Sequence, residues 1–162
     1  MFPPATPPFD DVPVFGTFDP ARSWRDRHVV YAVVVDDAGR LLVVDHAQQR
    51  LLPGGGINAG ETAAEALLRE GLEEVGQQLE VGREFGLARH FFDPDDGAPP
   101  RHKLCRYRQA TAGAVVGPPS EPDHVPLWLP VDRALSTLTH AVDRWAVSLH
   151  VTGTSQPLGD DG

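Results

Sequence analysis

The stretch LLPGGGINAGETAAEALLREGLEEVG, Leu51 to Gly76, constrains this chain more than any other. Three consecutive glycines are entropically costly unless the backbone takes positive φ or passes close to something. A helix start follows at once. Thr62 with Glu65 three residues later is a capping-box pattern, Ala and Leu fill the next two turns, and Gly76 stands where a left-handed residue ends a helix. The reading is a short strand ending at Leu51–Pro53, a glycine loop, and a helix closing at Gly76. Rotating by about 100° per residue from Glu70 puts Glu73 near 300° and Glu74 near 40°. Ala64, Leu68, Leu72 and Val75 cluster between roughly 120° and 200°. One face is therefore expected to be carboxylate and the opposite one core, with Arg69 one turn before Glu73 and able to hold it.

Like charges at i,i+3 and i,i+4 cost about 0.2–0.5 kcal/mol per pair, in a chain that already carries 23 Asp and Glu against 14 Lys and Arg. A solvated helix surface is the bland explanation, but such a surface usually mixes Lys with Glu, and this arc contains no lysine. Hard divalent cations take oxygen ligands, and Mg²⁺ commonly uses one or two carboxylates while sharing its remaining shell with waters and phosphates. Three carboxylates on adjacent turns suit one or more such ions, so metal offsets the repulsion. Gly71, at the edge of this face, is about 1 kcal/mol worse than Ala in a helix; close packing of neighbouring backbone is one reason for it, chance tolerance another. Two other glycine-loop readings fail. GGGINA fits a dinucleotide fingerprint by spelling, but Thr62 caps the helix after Ala59, so the last small residue lies outside the first helical turn. No Gly-Lys-Ser/Thr follows the glycines, which removes the Walker reading.

Around this unit the chain reads as one domain. Residues 1–13 hold five prolines and read as a loose lead-in, 14–150 as the domain, and 151–162 as a polar tail. Phe15, Phe18 and Trp24 are expected to fold back onto the domain. Val29–Val35 and Leu41–Val44 read as a hairpin with its turn at Asp37–Gly39. Strands are expected at Leu79–Phe92, His102–Thr111 and Leu127–Leu129, with helices starting at Pro130 and spanning Thr139–His150, where Val142, Trp145, Ala146 and Leu149 make an amphipathic stripe. Strands, a helix, strands and helices in that order imply an α+β fold with a mixed sheet. The longest apolar run, from Val29, is too short to span a bilayer, and the N-terminus lacks the basic and apolar regions of a secretory signal. A net charge of −9 argues against duplex nucleic acid or an anionic membrane as partner. The lone Cys105 reads as a buried thiol in a reducing cytoplasm.

From Gly55 to Gln77 the sequence resembles the signature of the Nudix hydrolases, G-x5-E-x7-R-E-U-x-E-E-x-G-U with U aliphatic. Gly55, Glu61, Arg69, Glu70, Glu73, Glu74 and Gly76 match in register, while Gly71 and Gln77 stand at the two aliphatic positions. LLPGG before the box, WLP at Trp128 and the closing helix HAVDRWAV are similar to small bacterial members, so the resemblance spans about residues 29–149. It implies an α/β/α sandwich around a mixed β-sheet. It also implies hydrolysis of a nucleoside diphosphate linked to another moiety, with Mg²⁺ or Mn²⁺ as cofactor. On matching positions, Glu70, Glu73 and Glu74 would ligate metal, joined by the carbonyl of Gly54 or Gly55. Arg69 would orient a glutamate, and Glu61 would support the loop. For the proton from water, Glu70 is the first choice, with Glu84, Asp95, Asp96 and Glu121 as candidates outside the box. A Nudix-fold module that binds a nucleotide without turnover is the alternative, disfavoured by the intact glutamates.

Other residues carry weaker signals. Phe92 and Tyr107 are expected to contact a base and Arg101 a phosphate, each weighed against a role in the core or on a solvated strand. The basic run Arg101, Lys103, Arg106 and Arg108 shares that even choice. His90 and His102 are expected at the surface. The expected partner is a small nucleotide-type molecule, with a homodimer through the aromatic N-terminal segment as an open option.

Overall fold

The computed structural model describes residues 4–94 and 96–153. Eight strands and three helices follow one another as β1 (Val14–Gly16), β2 (Arg25–Val34), β3 (Arg40–His46), β4 (Gln49–Leu51), β5 (Gly54–Gly56), α1 (Ala63–Glu70), β6 (Gln77–Phe92), β7 (Arg101–Val115), β8 (Val125–Pro130), α2 (Val131–Thr137) and α3 (Ala141–Thr152). They form a five-stranded mixed sheet in the order β1-β6-β7-β2-β5 and a three-stranded sheet in the order β4-β3-β8. β1 with β6 and β2 with β7 are parallel pairs, and the remaining pairs are antiparallel. This is the mixed α+β sandwich expected.

The alternation of β2 shows where the layers lie. Val29 and Val33 pack with Ala134, Leu138, Val142, Ala146 and Val147 of the α2–α3 segment. Val30, Ala32 and Val34 pack with Ala66 and Leu67 of α1. Leu41 and Val43 of β3 join the first cluster and Leu42 and Val44 the second. Strands covered on both faces read as unbroken apolar runs rather than alternating ones, which is why these two looked alike in sequence. They are not the two arms of one hairpin, however. The turn is present, with Gly39 N–H donating to the Asp36 carbonyl at 3.0 Å, but beyond a single bridge between Val35 and Leu41 the strands part into different sheets. β2 is paired on both edges, by β7 and β5, and β3 on both edges, by β4 and β8, which leaves neither an edge for the other.

Three further differences bear on the site. The glycines are not all loop: Gly54–Gly56 is a strand paired antiparallel with Val29–Tyr31 of β2. Residues 5–12, expected to be loose, dock through Phe9, which is 2% exposed and packs with Leu87 and Leu104. The closing helix runs past His150 to Thr152, and residues 154–162 of the expected tail lie outside the described residues. Phe15 packs on Trp145, and Phe18 and Trp24 on Phe91, so the aromatic segment folds back as expected. Among the described residues no helix is long and apolar enough to cross a membrane.

Candidate active site

The capping box at Thr62 is fully formed: its hydroxyl accepts the Glu65 N–H at 3.1 Å and Glu65 returns a bond to the Thr62 N–H. From this fixed start α1 runs regularly to Glu70, then widens into a π-helical turn over Gly71–Val75 that Gly76 ends at φ 69°. Gly71 marks the change because a Cβ there would lie 3.0 Å from Leu79 Cγ. Close packing therefore explains the glycine at an aliphatic position of the signature.

The helix turns inward a different face from the one its leucines suggest: Ala66 and Leu67 are buried one turn before Glu70, and Gly71 and Glu74 continue that face. Leu68 and Leu72, expected in the core, are 40% and 43% exposed. Gly71 and Glu74 are buried instead, and Glu70 keeps 14% of its side-chain surface. The carboxylate face is turned toward β5, so it lies on the buried side of the helix and not opposite the core as the wheel implied. π-helical turns are rare and concentrate at functional sites.

Two kinds of carboxylate result. Glu61 is held by Arg69 through two parallel bonds of 2.9 Å and accepts the Asn58 N–H at 3.0 Å. These hydrogen bonds, from Arg69 first and then Asn58, pull its carboxyl down to about 2. Arg69 also donates to the Gly56 carbonyl at 2.9 Å and reaches Glu70 at 3.0 Å and Glu73 at 3.3 Å. It thus ties the glycine strand, the loop and the helix together.

Glu74 is the other kind. It is 5% exposed and accepts the Gly54 N–H at 2.8 Å. Burial first, then the charges of Glu70 and Glu121 and a hydrogen bond shared with Glu70, push its carboxyl up to about 9 against the opposing Gly54 bond. Glu70 moves the same way, by burial and by Glu73 and Glu121, with Arg69 opposing. Two carboxyls in hydrogen-bond contact cannot both be charged without a positive partner between them.

Gly54 and Gly55 allow this gathering. Gly54 has φ 138°, and a Cβ on it would run into the Val30 carbonyl; a Cβ on Gly55 would lie 2.8 Å from Glu70 Oε1. Glu121 reaches the cluster by a route that sequence does not display. Gly76 accepts the Val116 N–H at 2.9 Å, and Glu73 accepts the Glu121 N–H at 3.0 Å, so the loop before β8 is docked along the π-helical turn. His124 follows, with Nε2 3.7 Å from Glu74 and Nδ1 3.1 Å from Glu121.

On the side of Gly54 away from α1 lies a cavity of about 180 Å³ lined by Tyr31, Phe92, Arg101, Lys103, His140 and Asp143, among others. The Lys103 ammonium stands 4.5 Å from the Phe92 ring centre. Burial lowers Lys103, and burial with the Lys103 charge lowers His90 to about 3 and His140 to about 4. Asp143 is buried, accepts the Tyr107 hydroxyl at 2.8 Å and is pushed up to about 6 by burial.

Sequence candidates sort accordingly. Glu70, Glu73, Glu74, Arg69, Gly54 and Gly55 come together, and of the outside acids Glu121 joins them. Glu84 does not: it pairs with Arg106 at 3.1 Å. Asp96 caps its own turn at Ala98, and Asp95 lies outside the described residues. Phe92 and Arg101 line the cavity, but Tyr107 is wholly buried behind Tyr31, with ring centres 5.8 Å apart. His90 and His102, expected at the surface, are buried, and His102 links Arg89 and Asp26 at 2.9 Å each. His124, His140 and Asp143 were not read from sequence. His124 lies in a loop with no pattern of its own, and His140 and Asp143 at the start of a helix whose apolar stripe says nothing of its polar residues; packing alone brings them to the site.

The NUDIX domain family model matches residues 25–149. The chain belongs to the NUDIX family. Its enzyme class is that of the Nudix-type pyrophosphohydrolases. Among solved structures, this Nudix chain is similar to a NUDIX hydrolase from Nitrosomonas europaea, at 18% identity and a TM-score of 0.65, covering 83% of this chain and 94% of that one. A MutT protein from Methanosarcina mazei Go1 matches at 18% identity and a TM-score of 0.64, over 84% of this chain and 100% of that one. The E. coli dihydroneopterin triphosphate pyrophosphohydrolase matches at 16% identity and a TM-score of 0.58, over 82% and 99%. At these identities the likeness is one of fold.

Proposed function

We propose that this Nudix chain hydrolyses a nucleoside diphosphate linked to another moiety, by water attack at phosphorus, and that it needs Mg²⁺ or Mn²⁺ to do so. The carrying observation is the gathering of Glu70, Glu73 and Glu74 round the Gly54–Gly55 backbone, with Arg69 on two of them and the Glu121 loop docked on Glu73. Their donor set is all oxygen and rich in negative charge, which fits a hard divalent ion. Glu70, Glu73, Glu74 and Glu121, with the carbonyl of Gly54 or Gly55, would hold it. When bound, such an ion supplies positive charge to the phosphates and makes a nearby water more acidic.

The chain's own residues do the rest. Arg69, itself fixed by Glu61, holds Glu70 and Glu73 against their mutual repulsion and keeps both oriented. Glu70 is the group proposed to take the proton of the attacking water, because Arg69 fixes its orientation beside the Gly55 backbone. Across Gly54, Phe92 offers a ring face and Arg101 a guanidinium to the substrate, and Lys103 adds a second cation. Tyr107 supports this wall from behind, through Tyr31 and Asp143. A screen of nucleotide sugars, dinucleoside polyphosphates, oxidised nucleotides and ADP-ribose, read by product chromatography, tests the proposal. Mg²⁺-dependent turnover of at least one class is expected. No turnover with either ion, together with a thermal midpoint unmoved by Mg²⁺, contradicts it.

A further inference from the structure

Beside the carboxylate cluster, at the open end of the small sheet, stand two histidines and an aspartate that the hydrolytic reading does not use. β3 and β8 run antiparallel with Asp45 opposite Val125. One more step of that register sets His46 opposite His124, and cross-strand partners have Cβ atoms about 4.5–5.5 Å apart. The imidazoles indeed lie face to face, with ring centres 3.9 Å apart and planes within 8°. Asp123 reaches both: Oδ2 is 3.4 Å from His46 Nδ1 and Oδ1 is 3.2 Å from His124 Nδ1. One ligand atom from each of the three residues lies within 4.8 Å of the others. The turn that carries Asp123 and His124 is fixed by the His124 N–H donating to the Glu121 carbonyl at 3.1 Å, and Glu121 is in turn bonded to Glu73.

We propose that His46, Asp123 and His124 form a second cation site, adjacent to the oxygen-only cluster and meeting it at Glu121, and selective for a borderline divalent ion such as Zn²⁺ or Co²⁺. Bonds of about 2.0–2.2 Å put neighbouring ligands of a tetrahedral ion about 3.4 Å apart, and each nitrogen stands near that distance from one of the two Asp123 oxygens, His46 Nδ1 at 3.4 Å and His124 Nδ1 at 3.2 Å. Imidazole donors favour zinc-like ions, whereas carboxylate and carbonyl sites suit Mg²⁺. Three protein ligands leave a fourth position, and Glu121 Oε2, 3.1 Å from His124 Nδ1, stands next to it. Closing round an ion requires the stacked rings to tilt until both Nδ1 lone pairs converge. His46, with a third of its side-chain surface exposed, has room to make that movement.

The test uses the full-length metal-free protein titrated with Co²⁺ in the presence of excess Mg²⁺, followed by visible d–d absorption. His46→Ala and Asp123→Asn leave Glu70, Glu73 and Glu74 in place, so a band they weaken does not come from the carboxylate cluster and the result does not depend on the hydrolytic reading. One equivalent of Co²⁺ is expected to give a band that Mg²⁺ does not displace. His46→Ala and Asp123→Asn, both at partly or largely exposed positions, are each expected to weaken it about tenfold or more, with the metal-free thermal midpoint unchanged. Absence of the band in the wild-type protein, or equal affinity in wild type and both variants, overturns the proposal.

Discussion

Glu61 and Glu74 are the same amino acid, thirteen positions apart, within one glycine-loop-and-helix unit, yet their proton affinities are driven in opposite directions. Glu61 meets the fork of Arg69 and a backbone N–H and is drawn down to about 2. Glu74 is buried beside Glu70 and Glu121 and is pushed up to about 9. The first is a completed ion pair, and its charge already has an owner. The second meets other carboxyls and one backbone N–H. Arg69 separates the two by spending most of its donors on Glu61 and Gly56, and the proposed function assigns the satisfied carboxylate to structure and the unsatisfied one to the metal site.

That contrast is most severely strained by removing charge from the unsatisfied side. Glu70→Gln or Glu74→Gln is expected to lower kcat by roughly a hundredfold or more, with the fold retained on circular dichroism. Wild-type turnover in either variant would break the comparison.

Stability should move the opposite way. For Glu74 the folded value lies above the unfolded one, so its contribution is fully present below about pH 4.5 and is lost as pH rises toward 9. Metal-free Glu74→Gln is then expected to be more stable than wild type by about 1–3 kcal/mol at pH 7, with the gap closing by pH 4.5, as read from urea unfolding. For Glu61 the sign reverses. Its stabilisation is present above the unfolded carboxylate range and is lost as pH falls through about 2. Glu61→Gln should therefore lower the urea midpoint at neutral pH, and a neutral or stabilising result would mean that the Arg69 fork contributes nothing.

A smaller effect is expected on the far side of Gly54. Asp143, wholly buried and raised to about 6, favours the fold most below its unfolded value near 3.8 and loses that contribution as pH rises through 6. Asp143→Asn, which still accepts the Tyr107 hydroxyl, is expected to gain about 1–2 kcal/mol on wild type between pH 4 and 7.

The two carboxylate types also show what was legible in the sequence. The spacing of Glu61, Arg69, Glu70, Glu73 and Glu74 is local, and local spacing survives folding: the capping box, the Gly76 stop and the Arg69 contacts stand as read. The direction of the acidic face differs from the reading because the sheet covers the side holding Ala66, Leu67, Gly71 and Glu74 and leaves Leu68 and Leu72 outside, a choice between two part-apolar faces that only tertiary packing makes. Glu121 was one of four acids outside the box with no pattern to choose among them. Its docking depends on backbone bonds to Glu73 and on the Gly76–Val116 contact, which pair residues about forty or more positions apart. The hairpin failed for a related reason. Two apolar runs joined by a good turn also fit two sheets stacked over a shared core, and only tertiary packing distinguishes these.

The most direct measurement is the binding of Mg²⁺ to the metal-free protein, read as the shift of its thermal midpoint at pH 7.5 in wild type, Glu74→Gln and Glu61→Gln. Wild type is expected to rise with Mg²⁺ concentration, Glu74→Gln to lose the rise, and Glu61→Gln to start lower but keep it. An equal rise in wild type and Glu74→Gln, or none in wild type, would contradict the claim that the buried carboxyls are there to hold a divalent ion.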